Sequence, residues 1–327
     1  MKTLYIADYS NWVYKFKYVF DLGVRLGDGR YINTSVLYGF KNAIKSNRFD
    51  DIIIALDGCP LRSLEILPQY KQQREHSTSD KIYVPKREVI SYLTQLGDRL
   101  GKRVRVVASY GQEADQVISS LVYLALGKVD PGSVRFMDKL VLHSLSEDPY
   151  IGSCIEEDVP LELESDYDTV VLGTTDSDMH QLREIGGVYM DSSWNGKSIN
   201  FSESTPKAVH GMPPCTIAVY KAFLGDTSDN VPAVVSRSLG SKVRKIILEE
   251  LNSESKFINF CNSVKLGLPL SNSLELLKSW VLKGSGVKDL RRNYSVVKLR
   301  FESTPRLLKF PSYTIEETLE KYSIKGL

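Results

Sequence analysis

The sequence predicts an α/β fold: a mostly parallel central sheet flanked by helices, followed by a helical C-terminal region. Three observations predict it. Short apolar, β-branched runs recur up to about residue 190, helical patterns lie between them, and acidic residues stand at or just past the ends of three of the runs. Continuous apolar runs of this length suit strands buried on both faces of a parallel sheet. Their alternation with helices is the α/β signature.

Taken in order, the first run is Leu4–Ala7, closed by Asp8, and the second is Ile52–Leu56, closed by Asp57. Pro85–Leu100 has helical spacing and precedes a third run, Val104–Val107. Glu113–Leu126 reads as a helix, and Val170–Leu172 leads into Asp176 and Asp178. Val188–Met190 is the last run. Beyond about residue 205 the pattern turns helical, with Thr216–Leu224 and Lys242–Leu251 joined by a loop containing Gly225, Asp226 and Gly240. The expected organisation is an α/β core over 1–205, with an inserted, weakly patterned excursion at about 128–165. A helical unit over 206–327 follows, with a helix-hairpin-helix-like element at about 216–251 and a C-terminal extension.

Bulk properties narrow the class without deciding it. The chain has 327 residues, 42% of them apolar, enough for one large domain or a domain with a smaller companion. A charged fraction of 25% and a net charge of +2 exclude a basic coat protein and a disordered acidic tail, yet allow local phosphate-binding patches. The four cysteines, Cys59, Cys154, Cys215 and Cys261, are scattered singly, which argues against a zinc site or a disulfide framework. MKTLYIADYSNW lacks the apolar run of a signal peptide, and no stretch approaches the roughly 20 apolar residues of a membrane span. A soluble protein of the cytoplasm is expected, with no membrane partner.

Eight carboxylates stand out by context: Asp8, Asp57, Glu113, Asp115, Asp176, Asp178, Asp226 and Asp229. A single aspartate at a strand end reads most simply as a cap for the next helix. Three at one sheet edge point instead to the ligand-binding edge of an open α/β sheet. Hard divalent cations take oxygen ligands, and two magnesium ions about 3.5–4 Å apart suit phosphodiester hydrolysis. Gathered carboxylates repel without metal, so stability cannot explain them. Glu113 and Asp115 are two apart and share a helix face only if they lie at the helix start, which the preceding Gly111 permits.

LYIADYSN, ALDG, LPQYKQQRE, YGQEADQVI, GTTDSDMHQL and FLGDTSDNVP occur in this order between residue 4 and about 232. In these strings the chain resembles the flap endonuclease and 5′–3′ exonuclease family, which includes the nuclease domain of bacterial DNA polymerase I and stand-alone phage enzymes. RNYSVVKL at 292–299 looks like the family's closing strand segment. The resemblance implies one metal held near Asp8, Asp57, Glu113, Asp115 and Asp176, and a second group of Asp178, Asp226 and Asp229. It implies two Mg2+, with Mn2+ as a substitute. The resemblance further implies a helical arch at about 62–100; Lys71 and Arg74 match the basic residues at its base, where the scissile phosphate is contacted, and with Asp176 they form the expected catalytic set.

Three departures stand out. Gln116 replaces the last aspartate of the family's EADD string, so altered metal affinity with retained activity is expected. The hairpin VPAVVSRSLGSK is longer and poorer in glycine than its family counterpart. The 128–165 excursion is long for the family.

Expected nucleic-acid contacts are Arg62, Tyr70, Lys71, Arg74, Lys81, Tyr83, Lys86 and Arg87 along the arch, where basic side chains would track a backbone and rings would stack on bases. Lys242, Arg244 and Lys245, after the hairpin, are candidates for duplex phosphates. The histidines have no metal or triad spacing, and the tryptophans read as packing residues, Trp12 least clearly. The implied substrate is DNA with a 5′ flap or 5′ end, with RNA–DNA hybrids also open. A single-strand binding protein or replisome component is a further partner class, and a monomer is expected. Two other readings stay open: a PIN-class ribonuclease, and a non-catalytic structure-specific DNA-binding protein.

Overall fold

The computed structural model describes residues 1–19, 23–25, 31–33, 41, 43–46, 48–73, 82–83, 86–129, 144–192 and 211–310. Its first part runs β1 (Thr3–Asp8), α1 (Tyr9–Val19), β2 (Gly23–Arg25), β3 (Tyr31–Asn33), β4 (Asp51–Ala55), α2 (Leu61–Ile66), β5 (Ile82–Tyr83), α3 (Lys86–Arg99), β6 (Arg103–Ala108) and α4 (Ala114–Ala125). β7 (Glu157–Pro160), β8 (Thr169–Gly173) and β9 (Val188–Met190) follow. The second part is α5 (Ile217–Leu224), α6 (Gly240–Glu250), α7 (Glu254–Leu266), α8 (Asn272–Lys283), α9 (Gly286–Val297) and β10 (Arg306–Lys309).

The main sheet has the order β7-β10-β6-β4-β1-β8-β9. β6, β4, β1, β8 and β9 are mutually parallel, whereas β10 runs antiparallel to both neighbours. The fold class read from the sequence is thus the fold observed. Within the parallel part, the chain winds outward from β1 in both directions, first through β4 and β6 and then through β8 and β9. The crevice beside the C-terminal end of β1 is therefore the topological switch point, where open α/β sheets bind ligands. Every residue of β1, β4 and β8 is buried, as strands covered on both faces require.

One face of the sheet is covered by α1 and α3, with Trp12, Ile90 and Leu93 in its core, and the other by α4, with Val117, Ile118 and Leu121. Trp12 is wholly buried against Tyr5 and belongs to packing. A separate helical core gathers Phe223, Phe257, Phe260 and Tyr294 from α5, α7 and α9. No helix among the described residues is long and apolar enough to cross a membrane.

Two expectations change. The last part of the expected arch, 86–99, is a helix packed on the sheet, because Val89, Ile90 and Leu93 form an apolar stripe that is fully buried. RNYSVVKL does not make a closing strand; most of it is the end of α9, whose apolar face meets α5, and β10 takes the strand role further on. Of the 128–165 excursion, the described portion includes the edge strand β7 and two 3₁₀ turns, Leu145–Glu147 and Gly152–Cys154. The division into 1–205 and 206–327 remains our proposal.

Candidate metal centre

The carboxylates reach the sheet edge by ordinary local chemistry. Asp8 is the last residue of β1, and its Oδ1 accepts the N–H of Asn11 at 3.0 Å, so it caps α1 as well as facing the crevice. Asp57 lies two residues beyond β4 and accepts the N–H of Ala114, the first residue of α4, at 2.8 Å. Asp176 follows β8 and accepts the N–H of Asp178 at 2.8 Å. Capping and clustering are therefore one arrangement. The backbone N–H groups that satisfy helix starts also orient the carboxylates.

Glu113 is the N-cap of α4, and Asp115 lies in its first turn. The irregular backbone at the helix start, preceded by Gly111 at φ +72°, lets both approach the same region. Gln116, at the position where the family string carries its last aspartate, completes a capping box with Glu113, accepting the Glu113 N–H at 3.3 Å. Its amide also donates to Ser63 Oγ at 3.3 Å. The departure from the family string thus has a local role in the helix start.

Electrostatics link the set. Asp8 is pushed up to about 7, mainly by burial and then by the charges of Asp57 and Asp176. Burial drives Asp115 well above the carboxylate range, and Glu113, Asp176 and Asp229 add to it. Glu113 is raised by burial, with Lys71 pulling the other way. Asp178 reaches about 6 through burial, again with Asp176 adding and a lysine opposing. Ligand oxygens of Asp178, Asp226 and Asp229 lie within 4.8 Å of one another.

Two lysines enter this negative field. Lys71, held at φ +52°, places Nζ 2.5 Å from Glu113 Oε1 and 3.5 Å from Asp229 Oδ1. Its own N–H donates to the Asp229 carbonyl at 2.9 Å. Burial opposes its charge, but Glu113, Asp115 and Asp229 more than offset this and the ammonium is held on. Lys221, in the last turn of α5, bridges Asp178 and Asp226, with Asp226 at 2.5 Å. The sequence reading missed Lys221, because a cation near a helix C-terminus is an ordinary complement to the helix dipole. The available signal was one charge in the otherwise apolar string IAVYKAFL, followed by Asp226.

Other expected contacts fall differently. Tyr70 is 5% exposed and donates its hydroxyl to Glu113 at 2.8 Å and to Asp229 at 3.2 Å. A ring so enclosed does not stack on a base; it holds carboxylates. Arg62 is committed to the buried Glu302 at 2.6 Å, tying α2 to the C-terminal segment instead of facing a nucleic acid. Arg74 and Lys81 lie outside the described residues, as do the side chains of Tyr83, Lys86 and Arg87. Lys242, Arg244 and Lys245 all lie on α6, where Lys242 and Lys245 are exposed and, three apart, share a face.

The preceding hairpin departs from a glycine-rich loop by anchoring its entry in apolar packing. Val234 and Val235 are 2% and 3% exposed, and both donate N–H groups to the Phe223 carbonyl. Asn293 on α9 donates to the carbonyls of Ala222 and Pro232, fixing the same turn to the helical core. Gly225 is needed at φ +70°, where a Cβ would stand 2.4 Å from the Val231 carbonyl oxygen.

The donor set, carboxylate oxygens throughout, fits magnesium, manganese or calcium better than zinc in a structural role, which favours nitrogen and sulfur. No family model matches the chain, and no curated protein matches it. Among solved structures, the T5 5′-exonuclease with bound divalent zinc ions shares 18% identity at a TM-score of 0.53, with 90% of this chain and 89% of that one covered. The T5 D15 protein co-crystallised with metal ions gives 19% identity and a TM-score of 0.51 over the same shares, 90% and 89%. A bacteriophage T5 D15 flap endonuclease variant in a pseudo-enzyme–product complex with DNA and metal ions gives 18% and 0.50, again covering 90% and 89%. Over nearly its whole length, the chain therefore has the fold of the T5 5′-exonuclease.

Proposed function

We propose that this chain is a divalent-metal-dependent nuclease that hydrolyses phosphodiesters of DNA near 5′ ends, as a 5′–3′ exonuclease and flap endonuclease. The observation that carries the reading is the meeting of eight carboxylates, from five separate stretches, with Lys71 and Lys221 at the switch point of the sheet. The fold shared with T5 nucleases crystallised with DNA and divalent ions supports it.

In this reading Asp8, Asp57, Glu113, Asp115 and Asp176 hold one Mg2+, and Asp178, Asp226 and Asp229 hold a second, with Mn2+ as a substitute. Bound there, the cations would lower the pKa of water and offset the charge that develops on phosphorus oxygens. The protein's own groups orient and complement. Lys71 offers its ammonium to the phosphate beside Glu113, and Tyr70, kept protonated by its buried acidic surroundings, fixes Glu113 and Asp229 as a donor. Lys221 limits repulsion between Asp178 and Asp226 until the substrate and ions are in place. Arg74 belongs to the same phosphate contact, Lys242 and Lys245 to duplex phosphates downstream. RNA–DNA hybrids are included among the substrates, and single-strand binding and replisome proteins among the partners.

The reading is tested with 5′-labelled flap, nicked, blunt and hybrid duplexes, incubated with and without magnesium. Cleavage near the 5′ end that requires the metal is expected, with 5′-phosphate products. Wild-type protein that binds duplex and leaves every substrate intact in magnesium and manganese would refute it. Lys71→Ala is expected to slow cleavage about 10²-fold at saturating metal. An unchanged single-turnover rate would remove Lys71 from the site.

A further inference from the structure

We infer that Asp148, delivered by the 128–165 excursion, is a positioning residue that fixes the two loops carrying Asp57 and Glu113. The inference rests on the nuclease reading above and gives the excursion a role in it. Asp148 is 2% exposed. Its carboxylate collects N–H groups from both loops: Cys59, two residues after Asp57, donates to Oδ2 at 3.0 Å and Oδ1 at 3.2 Å, and Gly111, two residues before Glu113, approaches Oδ2 at 3.5 Å. Tyr150 donates to Oδ1 at 2.8 Å and closes the turn around the carboxylate.

The loops are also joined directly. Gly58 donates to the Gln112 carbonyl at 2.8 Å, and Asp57 accepts the Ala114 N–H at 2.8 Å. There is no room for a side chain between them: a Cβ on Gly58 would stand 2.8 Å from the Gln112 carbonyl oxygen and 2.9 Å from Asp148 Oδ2. Both oxygens of Asp148 face backbone donors, which suits a group that orients metal ligands without itself holding a metal.

The clamp is mounted rigidly. On either side of Asp148, Leu145 and Ile151 are fully buried in the core beneath the sheet. Asp158 accepts the Leu145 N–H at 3.0 Å and pairs with Arg306. It lies on β7, which is paired with β10 in the main sheet. The described part of the excursion after residue 143 is thereby fastened to the sheet edge, and Asp148 transmits that fixed position to two of the carboxylates. Groups that orient metal ligands are typically worth about 10–100-fold in metal affinity or activity.

The test is a titration of the full chain with Mn2+, read as free ion by electron paramagnetic resonance, for wild type, Asp148→Ala and Asp148→Asn. Thermal unfolding and single-turnover cleavage of a 5′-flap duplex accompany it. Asp148→Ala is expected to weaken Mn2+ binding about 10–100-fold. Asp148→Asn should fall between, since its NH2 must face a backbone N–H at one oxygen position or the other. A purely structural role would lower the unfolding temperature and leave the folded fraction with wild-type affinity. That result in Asp148→Ala, or in Asp148→Asn should the alanine variant not fold, would overturn the clamp. Wild type that binds Mn2+ but cuts nothing would refute the nuclease reading, with the clamp still judged by the titration.

Discussion

Asp176→Asn is expected to reduce cleavage of a 5′-ended duplex by on the order of 10³-fold while leaving duplex binding intact. Asp176 links the two acidic groups, since its charge acts on Asp8 and Asp115 on one side and on Asp178 on the other. The asparagine keeps an oxygen for the N–H of Asp178, now 2.8 Å away, so the turn after β8 is retained. It removes one negative charge from a crowded field, so the metal-free variant should melt no lower than wild type. Single-turnover cleavage, a binding isotherm in calcium, and a melting curve separate these effects. Equal loss of cleavage and duplex binding would place Asp176 outside the chemistry.

Without divalent ions, the protein should lose stability as pH rises from 5 to 7.5. Asp8 titrates near 7 and Asp178 near 6 in the fold, both raised first by burial, against about 3.9 for an unperturbed aspartate. Between the unfolded and folded values the native state holds more protons than the unfolded chain. Stability therefore falls as pH climbs through that window and levels off above it. For two such groups the fall is on the order of a few kcal/mol, a large share of a typical domain's stability. Saturating Mg2+ should flatten the dependence and raise the melting temperature most at the alkaline end. Melting temperatures across pH, with EDTA or magnesium, test this. A metal-free curve that rises toward pH 7.5 would contradict the burial assigned to Asp8.

Much of this arrangement was legible because parallel sheets write themselves plainly. Buried strands such as Ile52–Leu56 are apolar on both faces, and the residues that follow them mark one edge. Asp8, Asp57, Asp176 and Asp178 are legible from their positions after those runs, Glu113 and Asp115 from the start of a helical pattern, and Asp226 and Asp229 from the string FLGDTSDNVP. Less legible were residues whose partners are remote in sequence. Lys221 looks like an unremarkable helix-terminal lysine until α5 is folded against the turn after β8. Asp148 sits in a weakly patterned stretch, and only the sheet edge brings it to Cys59. Tyr70 and Arg62 were misread for the opposite reason. Aromatic and basic residues near a phosphate site suggest substrate contact, but both side chains are consumed by internal partners, Glu113 with Asp229 and Glu302.

The acidic cluster lies where the sheet, with an apolar layer on each face, meets the helical core around Phe223. Asp8 ends β1, Asp57 follows β4, Glu113 and Asp115 start α4, and Asp176 and Asp178 follow β8, whereas Lys221, Asp226 and Asp229 lie at and just after the end of α5. Mutual repulsion thus acts as a wedge between the sheet edge and the segment after α5, and the cross-ties of Lys71 and Lys221 are rivets that resist it. Cations entering the seam would tighten the joint as they load it, so that grip on the ions and alignment of the two halves rise together.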